Sequence, residues 1–192
     1  LMGYGALIDA GVGLVAFSVF SQRGLAISLL CLLVRPIGLV LMASGLAGLR
    51  ALGGRDGGIE RLRGVARQAP WSTLAFVAGG VSLAGLPVSA GFAGRWALYR
   101  ALSPAQLTSA LIMMGGSVGL MTGVWRSLSV LLAREERPSE EIEGAAAAGE
   151  RGWIKAVVVA LFVAASAILG LAPQLLAPTA TRLASLYMFF AP

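Results

Sequence analysis

Apolar residues fall in long runs at about 1–20, 25–49, 71–102, 105–133 and 153–177, rich in Gly, Ala, Leu and Val. About 20 apolar residues in an α-helix cross a hydrocarbon core of about 30 Å. The pattern predicts an all-α fold, a polytopic transmembrane bundle of about five spans occupying residues 1–178. Polar segments separate the runs: a tight turn at Ser21–Gly24, loops at 50–69 and 134–152, and a C-terminal tail at 179–192.

The third run has the wrong length. Roughly 31 residues of straight helix would reach about 46 Å, too long for one crossing and too short for two with a turn. Its middle carries Gly85, Pro87, Ser89, Gly91 and Phe92, with Arg95 directly after. Glycine and proline interrupt a helix there, so a single crossing broken at Gly85–Gly91 is expected. Broken backbone at membrane depth survives only where protein or a polar cavity satisfies its freed groups, and transporters use such discontinuous helices to build ion sites. Pro70 suits the first turn of this segment.

Charges inside the runs are the next signal. Asp9 stands in the first, Arg35 beside Pro36 in the second and Arg95 in the third. An ionisable residue within a span faces the bundle interior or water and is a functional candidate. Asp9 has two readings: an ion-path carboxylate, or a group facing missing helices or water. Arg35 lies about ten residues from the nearer end of its run, too deep for an easy snorkel. It is expected to pair with an acid or with carbonyls, either as a kink-plus-pair or as part of an ion path.

Composition narrows the class. The chain has 192 residues, 57% hydrophobic and 12% charged, with a mean hydropathy of +0.83. Soluble domains carry about 25% charged residues. The sequence has no histidine and one cysteine, Cys31, read as a small core residue unable to form an intrachain disulfide. Histidine-ligated zinc and haem are excluded within this chain, and no Walker, Rossmann or HExxH pattern occurs. No cofactor, metal or catalytic centre is expected. The glutamates of 134–152 read as a solvated loop. The net charge of +6 sits in loops, so it signals topology rather than nucleic-acid binding. Loops 50–69 and 134–152 hold eight arginines, with Lys155 adjacent, against Arg23, Arg100 and Arg182 on the other side. The positive-inside rule makes the first side cytoplasmic, with the chain start cytoplasmic and the C-terminus outside. Trp153 and Lys155 anchor the last run, and Tyr187, Phe189 and Phe190 suit an interfacial tail. Leu1 already stands in an apolar run, as though the numbering begins partway into a longer protein.

Three stretches together resemble a known family. They are Leu62-Arg63-Gly64-Val65-Ala66-Arg67-Gln68-Ala69-Pro70, then Ser82-Leu83-Ala84-Gly85-Leu86-Pro87, then Ala90-Gly91-Phe92-Ala93-Gly94-Arg95. The combination is similar to the antiporter-like membrane subunits of respiratory complex I, a family that includes the multi-subunit cation/proton antiporters. In that family an arginine-proline loop precedes a broken helix carrying glycine-proline and then glycine-phenylalanine. The resemblance implies about fourteen helices in a complete member, built on inverted repeats. This chain would correspond to its C-terminal part, in a bacterial-type inner membrane. Its implied partners are other membrane subunits, including an N-terminal antiporter half or equivalent helices, and the lipid bilayer. The family's lysine after Gly-Phe is here Arg95, and its preceding histidine and lysine are absent near Leu33–Val34 and Ile37–Gly38. Lysine can lose a proton when buried, whereas arginine effectively cannot.

Two functions follow as expectations. One is a contribution to proton or cation translocation, coupled to quinone reduction elsewhere in a complex I-type assembly, with Arg95, Arg35 and Asp9 on the path. The other is a degenerate, non-conducting structural subunit of a larger energy-transducing complex.

Overall fold

The computed structural model describes residues 1–19, 21–53, 63–102, 107–133 and 149–186. The expectations for residues 54–62, for the glutamates of 134–148 and for Tyr187, Phe189 and Phe190 lie outside the described residues. Among those described, every element is helical: α1 (Met2–Phe17), α2 (Gln22–Gly53), α3 (Pro70–Ala84), α4 (Ala90–Ala101), α5 (Leu107–Leu132), α6 (Gly149–Leu171) and α7 (Ala177–Ser185). Short 3-10 turns at Val65–Arg67 and Pro173–Leu175 lead into α3 and α7.

Membrane-spanning capacity is uneven. The stretches Gln22–Ala51, Leu107–Leu132 and Trp153–Leu171 are long and apolar enough to cross a membrane, while Met2–Phe17 and Pro70–Ala84 are apolar but shorter. At 1.5 Å per residue, α1 extends about 24 Å. The chain is a multi-pass membrane protein by these helices, and α5 and α6 leave Leu111, Ile112, Val118, Leu161 and Ile168 exposed on their outer faces. Such a surface is stable against lipid or neighbouring helices, not against water.

Residues 22–24, expected as a turn, are the first turn of α2. Ser21 precedes it, and its Oγ accepts a hydrogen bond from the Gly24 N–H at 3.0 Å. That satisfies one of the unpaired donors at a helix start. Pro36 lies inside α2 without ending it. The helix then continues to Gly53, into the segment expected as loop.

α2 and α3 form the closest pair. A Cβ on Gly45 would meet the Phe76 N–H and the Ser72 carbonyl, and one on Gly79 would meet the Met42 N and the Gly38 carbonyl. The two backbones therefore touch, as small residues permit between membrane helices. Around this crossing Met42, Leu49, Phe76, Leu83 and Leu120 build the main apolar core.

The 70–102 segment is two helices. Gly85, at φ +70°, ends α3: its N–H bonds to the Ser82 carbonyl at 3.1 Å and the Leu86 N–H to the Val81 carbonyl at 3.3 Å. This is a Schellman cap, which glycine favours because it has no Cβ to clash at positive φ. Val88 also has a positive φ of 70°, unusual for a β-branched residue. Ser89 then precedes α4, with its hydroxyl donating to the Leu86 carbonyl at 2.6 Å. The α4 start is tied to α6, since the Ala90 N–H donates to Ser166 Oγ at 3.2 Å.

Candidate charged site between α1, α2 and α4

The break places α4 so that Arg95 points inward. Arg95 is 2% exposed, the largest fully buried side chain among the described residues. Its Nη2 donates to the Leu83 carbonyl near the end of α3, and its Nη1 donates to Ser117 Oγ on α5. Ser117 in turn donates to the Met113 carbonyl at 3.1 Å. The absence of a Cβ at Gly85 also leaves room for the Arg95 Cδ and Nε. At the other side of the break, a Cβ on Gly91 would strike the Ser82 carbonyl. Gly85 and Gly91 thus let α4 start beside the end of α3 with the arginine between them.

Helix α1 brings the acid. Ala6 and Asp9 are three apart and share a helix face. Arg35 of α2 donates from Nη2 to the Ala6 carbonyl at 3.0 Å, and its Nε lies 3.7 Å from Asp9 Oδ2. Arg95 Nη2 lies 3.8 Å from Asp9 Oδ1. The Asp9 side chain is 10% exposed and that of Arg35 28%. All three charged residues singled out in the apolar runs therefore meet, one carboxylate facing two guanidinium groups.

The contacts differ in kind. Arg95 donates hydrogen bonds to the Leu83 carbonyl and the Ser117 hydroxyl, whereas Asp9 stands at ion-pair distance from both arginines without a hydrogen bond to either. Among the described residues, Asp9 Oδ2, Arg35 Nε and Arg95 Nε are buried without hydrogen-bond partners. Asp9 and Arg35 help to line a cavity of about 10 Å³, together with Cys31, Val34 and Gly94. A space of that size admits about one water molecule. A larger groove of about 370 Å³ lies between α1 and α2 and reaches Asp9 and Arg35 past Gly13, Leu14, Ser28 and Leu32.

Cys31 is half-buried rather than fully enclosed, and its Sγ packs where a Cβ on Gly94 would stand. Pro87 is exposed in the break, and Phe92 stacks on Trp96 with centroids 5.9 Å apart. Ser117 and Ser166 were not singled out in the sequence: a serine within an apolar helix carries no sign of whether it bonds its own turn or another helix. Lys155 lies against α2 beside Gly48 and Ser72, away from this cluster.

An all-helical, multi-pass membrane protein with an interior ion cluster is the class that this fold and site define. No family model matches the chain. It is 34% identical over 110 residues to NADH-quinone oxidoreductase subunit N 2 of Sorangium cellulosum (strain So ce56), across 55% of this chain and 21% of the relative. It is 31% identical over 128 residues to NADH-quinone oxidoreductase subunit N of Cereibacter sphaeroides (strain ATCC 17025 / ATH 2.4.3), across 66% of this chain and 27% of that relative. The chain thus spans about a quarter of the length of the curated relatives it matches. The resemblance to the antiporter-like membrane subunits of complex I, drawn from residues 62–95, agrees with both relatives.

Proposed function

We propose that this chain forms part of an antiporter-like membrane subunit of a complex I-type respiratory assembly and contributes to proton translocation coupled to quinone reduction elsewhere. The observation that carries the reading is the Asp9 carboxylate suspended between Arg35 and Arg95 beside a helix break. Arginine does not give up its proton under biological conditions, so the two guanidinium groups act as fixed charges. Asp9 is the member of the cluster that can gain and lose one. A proton on Asp9 cancels its attraction to both arginines, and its release restores it. The groove between α1 and α2 supplies an approach to the carboxylate, and the α3–α4 pair serves as one discontinuous crossing. The assembly would lie in a bacterial-type inner membrane with loops 50–69 and 134–152 cytoplasmic and the C-terminus outside. Neighbouring membrane subunits, among them an N-terminal antiporter half or equivalent helices, would cover the exposed faces.

A structural, non-conducting role is favoured by one feature: Arg95 is anchored to Leu83 and Ser117 and is sealed from the surface. The two readings separate on Asp9→Asn, which keeps the shape and removes the exchangeable charge. Protons pumped per quinone reduced are measured in the assembled complex. A clear drop with quinone reduction intact supports translocation through Asp9. Unchanged stoichiometry in a fully assembled complex would sink it and leave the structural role.

A further inference from the structure

We propose that the groove between the start of α2, α4 and α7 is a binding site for an anionic phospholipid. The groove has a volume of about 580 Å³, and Arg23 and Arg182 both line it. Water occupies about 30 Å³ in the liquid, so the space is far larger than an ion needs. Its walls include Ile27, Leu30, Ala97 and Ala180.

The chemistry is graded along the membrane normal. Arg23 lies at the N-terminal end of the spanning stretch Gln22–Ala51. Ile27 and Leu30 follow four and seven residues later on one helix face, the deeper about 10 Å further in. A phosphate at the arginines would therefore continue into an apolar trough of the depth an acyl chain occupies. Helix α7 forms the opposite wall, with Ala180 and Ala184 buried and Arg182 exposed.

Charge complementarity selects the occupant. Among the described residues, both ion pairs use Asp9, and neither Arg23 nor Arg182 has an acidic partner. The neighbouring hydroxyls are already committed as donors: Thr181 bonds the Ala177 carbonyl at 3.0 Å and Ser185 the Arg182 carbonyl at 2.8 Å. Two uncompensated guanidinium groups above an apolar trough fit a phosphodiester with hydrocarbon attached. Basic pockets between membrane helices bind anionic headgroups on this principle.

The test uses the full chain, purified in detergent, stripped of lipid and titrated with phosphatidylglycerol, phosphatidylcholine or inorganic phosphate. Bound lipid is counted by native mass spectrometry. Two arginines near a headgroup give an expected preference of about thirty-fold for phosphatidylglycerol over phosphatidylcholine. Arg23→Gln with Arg182→Gln should abolish that preference, while the paired lysine substitutions keep most of it and Arg126→Gln leaves it intact. Ala97→Leu, which fills the trough and spares both arginines, should weaken both lipids. Equal binding of the two lipids, an unaffected double glutamine variant, or displacement by millimolar inorganic phosphate would each overturn the proposal, the last by making this a free-phosphate site. Helical circular dichroism and a single size-exclusion peak show that a variant is folded. If the double glutamine variant fails that check, Ala97→Leu and the lysine pair decide.

Discussion

Arg95 depends on a residue ten positions before it. Gly85 supplies the positive φ that ends α3 and leaves space for the Arg95 side chain. Gly85→Ala meets both constraints at once. A left-handed conformation costs an L-residue about 1–2 kcal/mol, and the new methyl would overlap Arg95 Cδ and Nε in addition. Thermal unfolding in detergent should show a loss of at least that size. Made in an Arg95→Ala background, the same Gly85→Ala change should cost less by the part that comes from overlap, leaving the backbone cost. At this scale the sequence was informative about charge and silent about partners. Asp9, Arg35 and Arg95 stand out because each is ionisable in an apolar run. The Ala6 carbonyl and the Ser117 hydroxyl, which hold the two arginines, have nothing to set them apart.

The helices owe their arrangement to the contact of α2 with α3. Gly79 lies so close to the Met42 backbone that any side chain must push the helices apart. Overpacking a tight core costs about 1–3 kcal/mol, and a backbone neighbour cannot rotate away. Gly79→Leu should therefore lower the unfolding temperature and expose the 63–69 segment to protease. Gly3→Leu, where a Cβ meets nothing within 4 Å, is the matched control and should change neither. The interruption of 70–102 was legible from Gly85, Pro87 and Gly91 rather than from length, since α2 runs through 32 residues without a break. The start of α2 was not: Ser21, Gln22, Arg23 and Gly24 have turn-like composition, yet Ser21 caps a helix and Gly24 sits in its first turn.

Among the described residues, the bundle gathers Asp9, Arg35 and Arg95 between its helices and leaves much of its apolar surface outside. Its orientation can be tested with one reporter. In a Cys31→Ala background, Arg63→Cys should react with a membrane-impermeant maleimide in inside-out vesicles and resist it in right-side-out cells. Gln174→Cys, in the turn before α7, should show the reverse. Labelling of both from one side would refute the orientation drawn from the loop arginines. The same arrangement places Arg23 and Arg182 in the leaflet opposite loop 50–69, where the phospholipid site would lie.

The sequence by itself determined that the chain is helical and membrane-embedded, where its longest run is interrupted, and which side chains carry charge into the apolar runs. Those properties are local: helix length follows from the number of apolar residues, and breaks follow from the dihedral limits of glycine and proline. Tertiary structure alone decided that Asp9, Arg35 and Arg95 share one cluster, that Ser117 and Ser166 secure the broken segment, and that Arg23 and Arg182 line one groove. Helices apolar around most of their circumference carry little record of which face turns inward. That choice is made where backbones can approach, at Gly45 and Gly79, and the resulting rotation of each helix sets which distant side chains meet.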